Sequence, residues 1–264
     1  SSPVSAEWKG CKTELTLSMV LIACGGVFLA SFLDAIAGGG GIISVPTYLL
    51  AGLPMHAALG TNKISASLGS LASVGRYIRN GYIDWKLAVP SIVMALLGSM
   101  GGTRLQLLIP EQYLQSLLLV VLLVVAIVVL RQRSFREVPG DIDRRRQRTI
   151  VLSASLVIGA YDGFYGPGTG TFLLLIFTGL GQMDVRTASG NVKVVNLASG
   201  IGSLITAVLY GEVYWAVGLI ASVASFAGHY VGAGLTIRNG AKIVRPVVIV
   251  ALALLAIKVL TDMI

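Results

Sequence analysis

Two lysines inside apolar stretches are the residues best suited to chemistry in this sequence. Lys63 ends the string GTNK and Lys193 ends the string GNVK, each near the start of a long apolar segment. A charge in hydrocarbon costs about 2.5–3.5 kcal/mol even on modest scales, so such residues usually face a protein interior or a water-filled path. An ammonium beside a helix N-terminus favours a negatively charged ligand. We therefore expect both lysines to supply charge to an anion site. The alternative is that each lysine reaches the membrane interface or pairs with a buried carboxylate.

Polar residues close to the lysines extend this hypothesis. We expect Thr61, Asn62 and Asn191 to supply hydrogen bonds to the anion. Asn196 lies one turn beyond Lys193 and is expected to line the same path, or else to form an interhelical hydrogen bond. Because a lysine acts as a point charge, selectivity for the shape of an anion would depend on amides and hydroxyls.

Glycine clusters occupy matching positions, at Gly38–Gly41 and Gly166–Gly170, each between a long apolar segment and a short one. Glycine runs there favour a broken helix with exposed backbone N–H groups. Broken helices that meet near the midplane hold the substrate in many transporters. We expect the backbone at Gly39, Gly40 and Gly168 to close around the anion. The alternative is a tight turn or close helix packing.

An aspartate precedes each glycine cluster, Asp34 in the first and Asp162 in the second. Carboxylates within a membrane carry protons or balance a lysine. We favour the structural interpretation, in which each aspartate forms an ion pair with a lysine or caps the broken helix. A proton-carrying role is the alternative.

The sequence contains no pattern typical of a catalytic or metal site. GxSxG, HExxH and Walker A strings are absent from it. Its two histidines, His56 and His229, do not match each other in the repeat described below, and we interpret them as a loop residue and a packed polar residue. We therefore expect no enzymatic activity, no cofactor and no metal.

Ten apolar segments position these residues. The chain of 264 residues is 55% hydrophobic and only 12% charged, against about 25% charged in soluble domains. Most segments approach the roughly 20 residues that a membrane-spanning helix needs, whereas the second and seventh are about a dozen long and are typical of re-entrant or broken helices. The sequence thus predicts an all-α polytopic membrane protein, with segments at roughly 15–37, 42–53, 57–78, 87–108, 112–130, 149–165, 169–180, 187–209, 215–236 and 244–262.

The two halves of the chain repeat each other. Asp162 follows Asp34 by 128 positions, and Lys193 follows Lys63 by 130, as Trp215 follows Trp85. Matched landmarks in a fixed order indicate an internal duplication. We expect a polar tail at 1–14, a first repeat at 15–130, an arginine-rich loop at 131–148 and a second repeat at 149–264.

The basic residues of equivalent loops predict the orientation of the repeats. The loop at 76–86 carries three basic residues, whereas the equivalent loop at 210–215 of the second half carries none. In the next pair of equivalent loops the order is reversed: the loop at 108–112 carries no basic residue, and the loop at 238–245 carries three. Basic loops prefer the cytoplasm. The halves should therefore form an inverted-topology repeat. Both termini should lie outside and the loop at 131–148, with seven arginines, inside. This loop could also bind lipid headgroups or nucleic acid, but we expect no nucleic-acid partner.

At these residues the chain resembles the TauE/SafE family, also called the sulfite exporter or 4-toluene sulfonate uptake permease family. The matching strings are DAIAGGGGIISVPTYLLAGLPMHAALGTNK, DGFYGPGTGTFLLL and ASGNVKVVN, with GYIDW and GEVYW further on, over about residues 15–264. The resemblance implies a carrier of sulfur-containing anions, such as sulfite, sulfoacetate or other organosulfonates, in a prokaryotic inner membrane. The second half departs from the pattern at Pro167 and Val192, which leaves open whether both half-sites contact the ligand equally.

We therefore expect a secondary transporter that works by alternating access around a central anion site. Its partners would be a small sulfur-containing anion, the lipid bilayer and a coupling proton. One alternative is an anion channel that uses the same basic residues. Another is a membrane receptor or scaffold whose arginine-rich loop recruits a partner. A homodimer is compatible with the sequence, but nothing in it indicates one.

Overall fold

The structure, a computed structural model, describes residues 16–110, 139–247 and 249–250. These ranges are helical throughout, with short connections and no strand, as the sequence predicts. The predicted tail at 1–14, the fifth segment at 112–130 and most of the tenth lie outside the described residues. Eight helices with both ends described are α1 Leu17–Ala37, α2 Gly41–Leu50, α3 Met55–Arg79, α4 Trp85–Leu108, α5 Arg144–Phe164, α6 Thr169–Gly179, α7 Val185–Tyr210 and α8 Trp215–Asn239. The described residues at 241–247 and 249–250 are also helical.

Among the described helices, four are long and apolar enough to cross a membrane: α1, α4, α7 and α8. Helix α3 has a similar length of 25 residues but carries serines that face the protein interior, among them Ser65, Ser70 and Ser73. Polar side chains on a long helix are tolerated in a membrane where neighbouring helices surround them. Helix α3 is therefore an interior helix of the bundle.

The second and seventh predicted segments form short helices, as expected. Helix α2 has 10 residues and α6 has 11, so each is about 15 Å long, half of a hydrocarbon core of about 30 Å. Helix α1 ends at Gly38, whose φ of 77° is left-handed, and the chain turns back so that Gly26 of α1 lies against Thr47 of α2. The α1–α2 pair is a helical hairpin with its tip at the glycine cluster, and α5–α6 forms the corresponding hairpin of the second half.

Each hairpin packs against a long helix through glycines. In the first hairpin, Phe28 and Phe32 of α1 lie against Gly228 of α8; in the second, Leu156 of α5 lies against Gly98 of α4. A Cβ added to Gly98 would lie 2.2 Å from the Leu156 carbonyl oxygen, so these backbones approach as closely as helices do at small residues in membranes. The contact of α1 with α8 thus corresponds to that of α5 with α4.

Helices α3 and α7 cross at the centre of the bundle. Gly60, early in α3, lies against Ala207, late in α7, whereas Ser67 of α3 lies against Gly200. The order of these contacts means that the two helices run antiparallel. Because α3 and α7 are equivalent in the sequence repeat, this is the relation that an inverted repeat requires. The inversion relative to a membrane stays a prediction.

The start of α5 differs from the predicted boundary at residue 149. The helix begins at Arg144, so the last five residues assigned to the loop at 131–148 belong to its first turns. The physical reason is a cap: the Asp143 carboxylate accepts hydrogen bonds from the backbone N–H groups of Arg145 and Arg146, both at 3.1 Å. An aspartate at this position satisfies N–H groups that a helix start leaves unpaired.

Candidate functional site

Lys63 connects the first half of the chain to the hairpin of the second half. It projects from the third turn of α3 and is buried. Its Nζ donates to the backbone carbonyl of Asp162 at 2.6 Å and lies 3.1 Å from the Asp162 Oδ2. Asp162 is at the end of α5, directly before the second glycine cluster. The lysine therefore holds the tip of the opposite hairpin.

Lys193 makes the mirrored connection. From α7 its Nζ donates to the Asp34 carbonyl oxygen and, at 2.8 Å, to the Asp34 Oδ2. Among the described residues, two ion pairs thus each join the lysine of one repeat to the aspartate of the other. This is the ion pairing that we favoured for the aspartates. Removing one member of a buried pair costs about 3–5 kcal/mol, since it leaves an uncompensated charge, so the pairs also hold the halves together.

The tips of the two hairpins touch through glycine. The Gly170 N–H donates to the Gly38 carbonyl oxygen at 3.2 Å, and Thr171 donates to the Ala37 carbonyl at 2.6 Å. A Cβ added to Gly38 would lie 2.2 Å from the Gly170 carbonyl carbon. Only residues without a side chain allow this approach, so the glycines bring two chain breaks from opposite halves together.

A small polar cavity lies beside the hairpin tips. Its volume is about 60 Å³, enough for a few water molecules and well below the roughly 300–1,000 Å³ of drug-sized ligand sites. Its lining includes residues that the sequence singled out: Asp34, Gly40, Asn62, Lys63, Asp162 and Asn196. The hydroxyl and imidazole groups that line it come from Ser31, Ser44, Ser65, Ser70, Thr169 and His229.

Five candidates from the sequence do not line this cavity: Thr61, Asn191, Lys193, Gly39 and Gly168. The Thr61 hydroxyl accepts a hydrogen bond from the Tyr214 N–H at 2.9 Å, and the Asn191 amide donates to the carbonyl of Thr187 in its own helix at 2.8 Å. The Lys193 side chain is 2% exposed. Gly168, with a φ of 83°, forms the turn before α6. Their expected contact with an anion has no support in this conformation.

Other polar residues around the two carboxylates were missed by the sequence analysis. Ser199 donates to the Asp162 Oδ2 at 2.7 Å, and Thr169 donates to its Oδ1 at 3.1 Å. His229, which we interpreted as a packed polar residue, has its Nε2 3.7 Å from the Asp34 Oδ2. The sequence repeat could have pointed to Ser199 and His229, because each has a different residue at the equivalent position of the first half.

The side chains around the cavity carry balanced charge. Lys63 and Lys193 are offset by Asp34 and Asp162. Ammonium and amide donors beside neutral hydroxyls suit a small anion, provided that its charge is also balanced. In the ranges that the structure describes, no group of three or more His, Cys, Asp and Glu side chains could hold a metal ion.

The fold has long apolar helices, two helical hairpins whose tips meet, and a polar cavity beside those tips. These features are typical of a polytopic membrane transporter. The chain belongs to the sulfite exporter TauE/SafE family, whose model matches residues 23–259. It is 35% identical over 238 residues to the probable membrane transporter protein ORF9 of a Sinorhizobium species, covering 89% of this chain and 90% of that protein.

Two further relatives give the same assignment. The chain is 32% identical to the probable membrane transporter protein YfcA of Escherichia coli K12, covering 89% of this chain and 87% of the relative. It is also 32% identical to a probable membrane transporter protein of Haemophilus influenzae, with 92% and 95% coverage. No solved structure matches the chain. The protein is thus an integral membrane protein of a transporter family.

Proposed function

We propose that the protein is a secondary transporter that carries small sulfur-containing anions across a prokaryotic inner membrane by alternating access. The anions are sulfite, sulfoacetate or another organosulfonate. The observation that carries the proposal is the cavity at the contact of the two hairpin tips, where Lys63 lies beside Asn62. The description of the family as sulfite exporters supports the substrate class.

Lys63 is the principal anion ligand in this proposal. Its ammonium has three donors, and two of its contacts go to the carbonyl and carboxylate of Asp162. The remaining donor is available to the cavity that the lysine lines. The amides of Asn62 and Asn196 line the same cavity, and the buried Asn196 Oδ1 has no hydrogen-bond partner. An unsatisfied buried amide is costly, so this side chain is suited to rearrange when a ligand enters.

Alternating access follows from the way the halves meet. The hairpin tips contact each other through Gly38 and Gly170, so each hairpin can shift against the other without unpacking large side chains. Rocking of two repeats around a fixed central site is the usual mechanism in transporters with this architecture. A cavity of about 60 Å³ lined by buried side chains supports a closed state in which a small oxyanion would be enclosed.

The proposed orientation places the basic side of the protein in the cytoplasm. Arg186 at the start of α7 donates to the Ile237 carbonyl near the end of α8. Arg144 at the start of α5 pairs with Asp84 at the start of α4, and Gly190 lies against Tyr82, after α3. These contacts bring together the basic segments at 76–86, 144–148, 186 and 238–245. Basic loops stay cytoplasmic, which supports a cytoplasmic loop at 131–148 and both termini outside.

The proposal also retains the repeat boundaries, 15–130 and 149–264, with a tail at 1–14, although the helix of the second repeat extends back to Arg144. The antiparallel contact of α3 and α7 supports the inverted arrangement.

Flux measurements in proteoliposomes test the function. We expect saturable uptake of radiolabelled sulfite or an organosulfonate, stimulated by unlabelled anion on the other side, in a panel of sulfite, sulfate, sulfoacetate and methanesulfonate. Counterflow stimulation requires a carrier, because the return of its empty site across the membrane limits the rate and anion on the other side speeds that return. A channel has no such step. Single-channel currents would identify a channel instead. Absence of flux for every anion in the panel would contradict the proposal.

A further inference from the structure

The two aspartates of the site have different surroundings. The Asp162 carboxylate faces donors only: Ser199 at 2.7 Å, Thr169 at 3.1 Å and Lys63 at 3.1 Å. The Asp34 carboxylate receives Lys193 at 2.8 Å and the Gly40 N–H at 3.2 Å. Its Oδ2 also faces the Nε2 of His229, 3.7 Å away. Of the cavity-lining residues that the structure describes, Asp34 therefore has an imidazole beside it and Asp162 does not.

This difference arises from two linked departures from the repeat. The offset of 130 positions that relates Lys63 to Lys193 pairs Gly69 with Ser199 and Ser99 with His229. A Cβ added to Gly69 would lie 2.1 Å from the Ser225 Oγ and 2.5 Å from the Cδ2 of His229. The glycine therefore makes room for both of these side chains of α8. Where a serine donates to Asp162 in one half, a histidine lies near Asp34 in the other.

The hydrogen bonds of the imidazole leave a place for one proton. The Ser73 hydroxyl donates to the His229 backbone carbonyl at 3.2 Å and lies 3.0 Å from Nδ1. A hydroxyl has one hydrogen, so when it serves the carbonyl, Nδ1 must carry the ring hydrogen and donate to Ser73. The Nε2 lone pair then faces the Asp34 carboxylate, and two acceptors face each other without a hydrogen between them.

The charges around the cavity require such a proton when an anion is bound. The two lysines and two aspartates cancel, so a monovalent anion alone would leave one uncompensated negative charge inside the membrane, which is costly. The charged groups that the described chain brings to His229 are Asp34 from α1 and Lys193 from α7. Arg76 of α3 lies over the neighbouring Tyr230 and donates to its carbonyl.

We infer that His229 and Asp34 form a proton-binding site, and that a proton bound at Nε2, beside the Asp34 Oδ2, is carried together with the anion. The proton enters from the solution that the open cavity faces and forms an N–H bond at Nε2. That bond breaks when the proton leaves with the anion on the other side, and no other covalent bond changes. The empty and the loaded site then have the same net charge. The inference rests on the proposed function and adds the coupling ion and its ligands.

Gradient-driven transport of methanesulfonate tests the inference. Methanesulfonic acid is fully dissociated in neutral and mildly acidic water, so a pH gradient acts on the protein and not on the anion. For one proton per anion, a gradient of about one pH unit, acid outside, should drive about tenfold accumulation, since one unit corresponds to about 1.4 kcal/mol. A membrane potential should have no effect, because the coupled step moves no net charge.

The variant Gly69→Ser/His229→Ser copies into the first half-site the residues of the second. We expect it to retain methanesulfonate exchange, to lose accumulation driven by the pH gradient, and to become sensitive to the membrane potential. Ser225→Ala, on the same helix as His229, is the matched control: it removes a buried hydrogen bond to Ser31 of α1 but no titratable group, and should accumulate the anion like the wild type. Gradient-driven accumulation by the double variant at the wild-type level overturns the inference.

The remaining outcomes separate the two proposals. Exchange by the wild type without any response to the pH gradient overturns the proton site and leaves the transporter function standing. No exchange of any anion overturns both.

Nitrogen-15 NMR supplies an independent measurement, because the chain has two histidines and His56→Gln leaves only His229. Methanesulfonate should move the protonation of Nε2 to higher pH, and an Nε2 that does not respond to the anion contradicts the inference.

Discussion

The Lys63–Asp162 and Lys193–Asp34 pairs have the same connectivity and different environments. Both lysines bind the carbonyl and the carboxylate of an aspartate in the opposite repeat. The side chain of Lys63 lines the cavity, whereas that of Lys193 is 2% exposed and lies outside the lining. Duplication thus supplied two equivalent ion pairs, and sequence divergence around them left one lysine open to a ligand and enclosed the other.

The carboxylates differ in the opposite sense. Asp162 accepts hydrogen bonds from two hydroxyl groups, whereas Asp34 faces an imidazole. The open lysine and the titratable carboxylate therefore belong to different ion pairs. A transporter can in this way hold its anion and its proton at one cavity on different side chains, so that the proton balances the charge of the anion without binding to it.

The largest expected effect is on transport, from neutralising the open pair. Lys63→Gln/Asp162→Asn removes both charges without leaving one unpaired, so the protein should fold. Exchange of sulfite or methanesulfonate should fall by about 100-fold or more, which corresponds to about 3 kcal/mol of lost anion binding. Radiolabelled exchange in proteoliposomes measures this. Lys86→Gln, at an exposed lysine, is the control and should exchange normally. Wild-type rates in the double variant would show that Lys63 does not bind the anion.

Stability should show the opposite ranking of the two lysines. Lys193→Met leaves Asp34 with one backbone donor and the imidazole, and should destabilise the protein by about 3–5 kcal/mol. Lys63→Met should cost less, because Ser199 and Thr169 still donate to Asp162. Thermal unfolding in detergent, followed by tryptophan fluorescence, compares the two variants. The double variant Lys193→Met/Asp34→Asn should recover much of the lost stability, because it leaves no unpaired carboxylate. Equal destabilisation by the two methionine variants would contradict the proposed difference between the lysines.

The smallest of these effects concerns the contact between the hairpin tips. Gly38→Ala places a side chain at a φ of 77° and 2.2 Å from the Gly170 backbone. The left-handed conformation alone costs about 1–2 kcal/mol, and the clash must separate the tips. Gly75→Ala is the matched control, since nothing lies within 4 Å of its added Cβ. A lower unfolding temperature and slower exchange for Gly38→Ala, but not for Gly75→Ala, are expected. Identical behaviour of the two would show that the tips do not need to touch.

The local elements were readable from the sequence because their signals are local. Apolar length separated the long helices from α2 and α6, which are confirmed as short. The repeat offset paired Lys63 with Lys193 and Asp34 with Asp162 before their contacts were known. The start of α5 was placed too late, because the arginines after Asp143 look like a loop in a hydropathy pattern while the carboxylate caps a helix there.

The sequence by itself determined an all-helical membrane protein of a recognisable family, with two equivalent sets of lysine, aspartate and glycine. The tertiary structure decided which lysine meets which aspartate, which of the two lysines lines the cavity, and where His229 lies. The bonded partners are 99 and 159 positions apart in the chain, and Gly69 makes room for an imidazole on another helix. Such contacts depend on how helices pack rather than on spacing along one helix, so no periodicity in the sequence could reveal them.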